Sequence, residues 1–519
     1  MRKIKTALGT TVVAFAVMTT SIFGSTSISY ADGAKSGINV NSSYGEYALG
    51  NIELTQEERQ WLDENTKEIN DVSDLKEFYE KSGNDYLNNI KRGEGLSKSV
   101  DNTKNKYFPK IGNQGAIGSC ASWAMTYLQA SYTFNKAKNL DGKDTKNVMS
   151  PMWTYNMTNQ GGNNGTTLVD VLYILSEIGA VPLADAPVYT TTTNKFQYGD
   201  LFARNGLWKK ASQNKITNAF MVDLKTDLED TPITSPNDED LTAIKMLLDS
   251  GEILSCSSYA YKWKTTTIKA NDEVPENNEH IGEQIITRND GYQYGGHRIA
   301  IVGYDDNIWV DINENGVVEE GEKGAFKIAN SWGEEWGDDG CIWFSYDSVN
   351  PVSSVADTTY INMSRGRAVS LMDICAMAAN PEESKTDTFA EFTMNTKYAN
   401  TVKVDISATD VNGETLTYGV SPFKSSGMYY SIGGYGFDGT RSATDGTFTV
   451  DLKNVIPNLT PDKINDYKWS ITFTDTTNDN SSLVIKDVKL LDTLNQVTYG
   501  SDLVDDISIN AASQVVTIK

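Results

Sequence analysis

Gly112-Asn113-Gln114-Gly115-Ala116-Ile117-Gly118-Ser119-Cys120-Ala121-Ser122-Trp123-Ala124 is a glycine-punctuated loop that runs into an apolar, helix-periodic segment. Ala121, Ala124, Met125, Leu128 and Tyr132 recur at the spacing of one helix face, which predicts a buried helix with Cys120 at its first turn. A thiol there meets unpaired backbone N–H groups and the positive end of the helix dipole. Both favour the thiolate, the nucleophilic form. A free cysteine is also a small buried hydrophobe in many cores, so this loop alone leaves both readings of Cys120 open.

Two later stretches bear on the choice. Gly295-Gly296-His297-Arg298-Ile299-Ala300-Ile301-Val302-Gly303-Tyr304 puts a histidine at the head of a β-branched run that predicts a buried strand. His280 and His297 are the chain's two histidines, so a Cys/His pair has few candidates. A second strand-like run, 325–329, leads into Asn330-Ser331-Trp332-Gly333-Glu334-Glu335-Trp336-Gly337-Asp338-Asp339-Gly340. Taken in order, the three blocks resemble the papain-like (C1) cysteine peptidases, with that family's Gln-Gly-x-x-Gly-Ser-Cys, His-x-x-x-x-x-Gly-Tyr and Asn-Ser-Trp-Gly-x-x-Trp-Gly-x-x-Gly motifs.

The resemblance implies a role for each residue. Cys120 would be the nucleophile and His297 its acid/base partner. Asn330 would accept a hydrogen bond from the far ring nitrogen of His297, and Gln114 would donate to the oxyanion. Trp332 would shield the Asn330–His297 bond, and its plain alternative is an ordinary core tryptophan. Gly161 and Gly162, after Gln160, resemble the glycine wall that pairs with substrate backbone; a plain loop reads equally well. The chain departs from the family at Ile117, where a disulfide cysteine is usual, and at Ala121, where tryptophan is usual. His297 and Asn330 also lie 177 and 210 residues after Cys120, beyond the roughly 130–150 of compact members, which calls for insertions.

Arg2, Lys3 and Lys5 precede an apolar stretch from Thr11 towards Phe23, and Ser29-Tyr30-Ala31 offers small residues before Asp32. Residues 1–31 therefore read as a secretory signal peptide, and no later run is long and apolar enough to span a bilayer. Losing that leader takes the net charge from −24 to −27. Such acidity argues against nucleic acid and anionic membranes as partners. With Cys120 set aside as nucleophile, Cys256, Cys341 and Cys375 allow at most one disulfide, and they read as buried thiols.

Residues 32–100 are polar, with a capping box at Thr55–Glu58 and an apolar stripe of Leu75, Phe78, Tyr79, Tyr86, Leu87 and Ile90. The segment has the length of an inhibitory propeptide without the usual propeptide signature, which leaves an N-terminal accessory segment open. Tyr107-Phe108-Pro109 suggests that the catalytic domain begins near 101; it runs to about 380. It reads as α+β and two-lobed, with helices at 168–178 and 238–250. Residues 385–519 alternate as antiparallel strands, Val402, Val404 and Ile406 against Lys403, Asp405 and Ser407, which suggests a β-sandwich accessory domain. Its Tyr429–Phe437 loop would suit carbohydrate or a cell-surface polymer.

Asp311-Ile312-Asn313-Glu314-Asn315-Gly316-Val317-Val318-Glu319-Glu320-Gly321-Glu322 matches the calcium-loop pattern D-x-[DN]-x-[DN]-G-x5-E. Asp311, Asn313, Asn315, the Val317 carbonyl, Glu319 and Glu322 would hold a structural Ca²⁺ between two strands; the alternative is an acidic turn. The whole chain reads as a secreted cysteine endopeptidase acting on proteins or peptides. A catalytically silent surface adhesin on the same fold and a thiol acyltransferase are the alternatives. A silent copy should have lost one of Gln114, Cys120, His297 and Asn330, and all four stand here.

Overall fold

The β-branched run after His297 becomes Gly296–Trp309, the longest strand among the described residues, buried on both faces for most of its length. This computed structural model describes residues 48–70, 73–83, 95–191, 195–204, 206–222, 238–290, 296–349, 353, 355, 370–423 and 432–519. The signal peptide at 1–31, Tyr86, Leu87 and Ile90 of the apolar stripe, Gly295 and residues 429–431 lie outside them.

Gly296–Trp309 sits within a ten-stranded mixed sheet. Leu254–Tyr259 pairs antiparallel on one side of it, followed by Met372–Ala378, Asn218–Val222 and Lys67–Ile69. Lys323–Ala329, Cys341–Ser345, Gln284–Asn289 and Trp263–Thr267 continue on the other. Successive side chains of a strand point to opposite faces. On one face Ala300 and Val302 pack with Trp123, Leu128 and Tyr132 of a helix running from Cys120 to Lys138; on the other, Ile299 and Ile301 pack with Phe326, Ile328 and Trp332. The middle of that helix, Trp123–Ala130, is wound as a π-helix, a form that recurs at functional sites.

The helices around this core begin and end where their chemistry dictates. Leu168–Glu177 starts at a Thr167/Asp170 capping box, and Gly179 follows it at φ +90°. Asp238–Asp249 gives way to Gly251 at φ +79°. The Thr55–Glu58 capping box opens Gln56–Asn65.

The boundary expected near residue 101 is not a boundary of packing. Lys67–Ile69 is an edge strand of the large sheet, and Ser99–Asp101 pairs with Gly303–Asp305. Leu75, Phe78 and Tyr79 of Leu75–Ser82 are buried in the same apolar cluster as Ile299 and Phe326. Sequence periodicity identified the apolar stripe but could not say which core it enters.

Residues 388–517 form a five-stranded and a four-stranded sheet. Val402–Thr409 alternates buried and half-buried as its sequence predicts, because one face of its sheet meets the other sheet. Phe392 of one sheet and Phe473 of the other have ring centroids 5.5 Å apart. These sheets are joined to the helical part through apolar and polar contacts. Phe448 meets Trp208 edge-on at 4.9 Å, and buried Lys215 pairs with Asp451 at 3.0 Å. Asn454 Nδ2 donates to the Glu177 carbonyl at 3.1 Å. Of the 429–437 loop, the described part is used in this joint: Gly433 abuts Gly161, Tyr435 lies against Gly199, and Phe437 is buried. The described residues from Ala48 to Lys519 accordingly form one compact unit.

Candidate active site

Cys120 opens its helix directly after Ser119, and its side chain is fully buried. The loop before it is held from several directions. Asn163 Oδ1 accepts from the Gly118 amide at 2.6 Å and from Tyr155 Oη at 3.0 Å, while Asn163 Nδ2 donates to the Ala116 carbonyl at 3.1 Å. Gln114 receives the Ser331 hydroxyl on Oε1 at 2.6 Å, and its own amide donates to the Ser331 carbonyl at 2.8 Å. The nucleophile loop and the Asn330–Trp332 turn are thereby tied together.

The Arg298 backbone N–H donates to Cys120 Sγ at 3.4 Å, which brings the head of the His297 strand onto the helix start. His297 Nε2 and Asn330 Oδ1 are 2.8 Å apart. With the oxygen as acceptor, that bond puts the proton on Nε2 and leaves Nδ1, buried and without a partner, free to take or give one. Trp332 stacks on the imidazole with centroids 4.6 Å apart and planes 18° from parallel, and Trp263 lies 6.2 Å from the same ring and 6.1 Å from Trp332. Gln114, Cys120, His297, Asn330 and Trp332 are brought together from across the sequence. Gly161, at φ +72°, packs on Gly433, and Gly162 precedes Asn163, whose side chain bonds the Gly118 amide.

Beside this loop Thr166 makes a backbone pairing whose partner is the chain itself. Thr166 N–H donates to the Gly50 carbonyl at 3.0 Å and the Ile52 N–H donates to the Thr166 carbonyl at 3.1 Å, a parallel bridge centred on Asn51. Gly50 and Asn51 amides reach the Gly296 carbonyl at 3.4 and 3.1 Å. Trp332 Nε1 donates to the Ala48 carbonyl at 3.3 Å, and Gln114 Nε2 to the Leu49 carbonyl at 3.4 Å as well as to Ile117 at 2.8 Å. Residues 48–52 therefore lie across the site. Gly50 makes this passage possible: at φ +140°, a Cβ there would stand 2.0 Å from the Gly118 carbonyl oxygen. A lone Gly50 in a polar stretch was the one sequence signal of this approach, and nothing around it distinguishes it from a loop glycine.

Burial governs the electrostatics. It pushes the Cys120 thiol up to about 12, opposed by the Arg298 amide. It pushes His297 down to about 4, opposed by the Asn330 bond.

No family model matches the chain, and no curated protein matches it. The chain resembles papain-like cysteine proteases of known structure. It is similar to xylellain, a cysteine protease from Xylella fastidiosa, at 16% identity over 64% of this chain and 97% of that one, with a TM-score of 0.39. Bromelain from Ananas comosus in complex with the E64 inhibitor is 15% identical over 55% of this chain and 99% of its own, with a TM-score of 0.33. Digestive procathepsin L 3 of the Tenebrio molitor larval midgut is 15% identical over 62% and 87%, with a TM-score of 0.32. At these values the likeness is one of chain trace, and the chemistry is read from the side chains.

The 311–322 loop joins the His297 strand to the strand ending before Asn330. Asp311 accepts the amides of Asn315 and Gly316 at 3.0 and 2.9 Å, Asn313 Oδ1 that of Asn315 at 3.1 Å, and Asn315 Oδ1 that of Val317 at 2.7 Å. Glu319 Oε2 accepts from Asn313 and Asn315 Nδ2. Glu322 is buried, receiving the Ile312 amide at 2.6 Å and Trp309 Nε1 at 2.9 Å. Burial and the nearby Asp311 hold its carboxyl above the usual range. Among the described residues no three His, Cys, Asp or Glu side chains converge as for a metal. The loop's donors are oxygens of mixed kind, which suits a hard cation in type. No helix of the described residues is long and apolar enough to cross a membrane.

Proposed function

We propose that this chain is a secreted papain-like cysteine endopeptidase, with a two-lobed catalytic domain and a C-terminal β-sandwich, whose own residues 48–52 occlude the cleft. The observation that carries the reading is the convergence of Cys120, His297 and Asn330, with Asn330 Oδ1 2.8 Å from His297 Nε2 and the next residue's amide on Cys120 Sγ. In the working cycle His297 Nδ1 takes the thiol proton, and the thiolate adds to a peptide carbonyl. Gln114 Nε2 and the Cys120 amide hold the oxyanion. His297 then protonates the leaving amine, and water, deprotonated by the same imidazole, hydrolyses the thioester.

The occluding segment blocks this cycle in three ways. It covers the thiol, it adds to the burial that disfavours charge on Cys120 and His297, and its Leu49 carbonyl takes the Gln114 donor meant for the oxyanion. Lys67–Ile69, Leu75, Phe78, Tyr79 and Ser99–Asp101 pack with the large sheet, so activation in this reading is release or cutting of the strand near 48–52, not removal of everything before 101. N-terminal sequencing of the active form tests this. A start near residue 54 supports it, and a start beyond 101 contradicts it.

We further propose Ca²⁺ at the 311–322 loop, held by Asp311, Asn313, Asn315, the Val317 carbonyl, Glu319 and Glu322. A calorimetric titration should show binding, and Glu322→Gln should abolish it. A melt unmoved by chelator would reduce the loop to an acidic turn.

A further inference from the structure

Arg298 follows His297 on the Gly296–Trp309 strand, so the two side chains leave opposite faces of the sheet. Arg298 lies beside Ser257 in register, on the face where Ala300 and Val302 pack against the Cys120 helix. Its side chain is among the largest that are fully buried. Nη2 donates to the Asp373 carbonyl at 2.6 Å, while Nε and Nη1 have no partner. Among the described residues no carboxylate forms an ion pair with it.

That single carbonyl is itself specially placed. The pairing of Met372–Ala378 with Leu254–Tyr259 shifts register between Met372 and Cys375, and Asp373 adopts φ +46° in the bulge. Bulges re-aim groups beside active sites, and a non-glycine residue is held in the left-handed region only where its surroundings over-determine it. The Asp373 carboxylate turns elsewhere, to the Ser257 hydroxyl at 2.8 Å and towards Arg59 at 3.8 Å. A buried cation with one neutral acceptor is costly unless an anion compensates it. The same residue's amide already donates to Cys120 Sγ.

We propose that Arg298 is a positioning residue for the Cys120 thiolate, its amide fixing the sulfur and its buried guanidinium supplying a permanent positive charge from the helix-facing side of the sheet. The proposal rests on Cys120 being the nucleophile. Unlike His297, which must surrender its proton to the leaving amine, Arg298 stays charged throughout. It therefore favours the thiolate twice, as nucleophile in acylation and as leaving group when the thioester is hydrolysed. The groups acting on Cys120 are Arg298 from the strand, the amides of Ala121 and Asn51, and Tyr155 from Pro151–Thr158; around the guanidinium stand Cys256, Cys375 and Asp373. Arg298 opposes the effect of burial at Cys120, Cys256 and Cys375 alike.

The test reads the thiolate without turnover, from the ultraviolet absorbance difference between each chain and its Cys120→Ala counterpart, in the Gly50→Ala background, where residues 48–52 are lifted from the thiol. R298Q can keep the bond to Asp373 while losing the charge. It should raise the Cys120 midpoint by about one pH unit or more, a tenfold loss of thiolate below the midpoint, and R298K should hold it near the parent value. An unmoved midpoint in folded R298Q, or an equal shift in R298K, overturns the proposal. A second comparison leaves Arg298 intact: in a His297→Ala background, Cys120→Asp should melt above Cys120→Asn at neutral pH, and the reverse order overturns the proposal. A chain that passes these tests yet cleaves no peptide contradicts the peptidase reading and leaves the role of Arg298 standing.

Discussion

Gly50→Ala should switch the enzyme on without any cleavage. Six hydrogen bonds hold residues 48–52 in the cleft, to Gly296 (two), Thr166 (two), Trp332 and Gln114. Each contributes about 1 kcal/mol net, and burying Leu49 adds about 2 kcal/mol, before the ordering of the strand is subtracted. The substitution puts a methyl 2.0 Å from the Gly118 carbonyl oxygen and 2.3 Å from its carbon, both backbone atoms of the braced nucleophile loop. A side chain at φ +140° adds about 1–3 kcal/mol of strain. Relief requires the strand to lift, which forfeits several of the six bonds. A net shift of about 3 kcal/mol would raise the open population more than a hundredfold. The assay is the rate at which iodoacetamide or an epoxide labels Cys120, read by mass spectrometry alongside turnover of a short peptide. Gly83→Ala, at φ +66° with no heavy atom within 4 Å of its added carbon, is the control for strain alone. Labelling of Gly50→Ala at the wild-type rate, with an unchanged melt, would refute the occlusion argument.

Other outcomes follow from single contacts. Asn330→Ala removes the acceptor 2.8 Å from His297 Nε2 and should cost about tenfold in kcat/KM, the worth of one hydrogen bond, far less than loss of Cys120. Lys215→Met strands the buried Asp451 carboxylate and should destabilise the chain by about 3 kcal/mol or more in denaturant melts. Adding Asp451→Asn should recover part of that loss, and full additivity would contradict the pairing. His280 is held up to about 9 by Asp305 and Glu283. Its folded value exceeds its unfolded one, so its contribution is complete below about pH 6.5 and lost as pH rises through about 9. His280→Gln should flatten stability across that window, by on the order of 1 kcal/mol because the cluster is partly exposed.

Much of the site was legible because its chemistry is local. Cys120, His297 and Asn330 each stand at a sequence landmark, respectively a glycine loop before a helix, the head of a β-branched run and the end of another. The capping boxes at Thr55 and Thr167 were equally local, since an N-cap hydroxyl and a carboxylate three residues on need no tertiary contact. What could not be read was long-range. The packing of Gly161 on Gly433, far along the chain, has no local signal. The fate of 67–101 depended on sheet edges that only the folded chain defines. The Tyr435 loop carries aromatics suited to a ligand, yet its described residues are spent on the joint between the sheets and the helices.

The central claim is tested most directly by Cys120→Ala measured beside the wild type in one experiment. Activated wild type should cleave a peptide library and carry one equivalent of thiol label, located at Cys120 and not at Cys256, Cys341 or Cys375, which are all buried. Cys120→Ala should melt like the wild type and lose both label and cleavage. Peptide cleavage that survives in the folded Cys120→Ala chain would contradict the account.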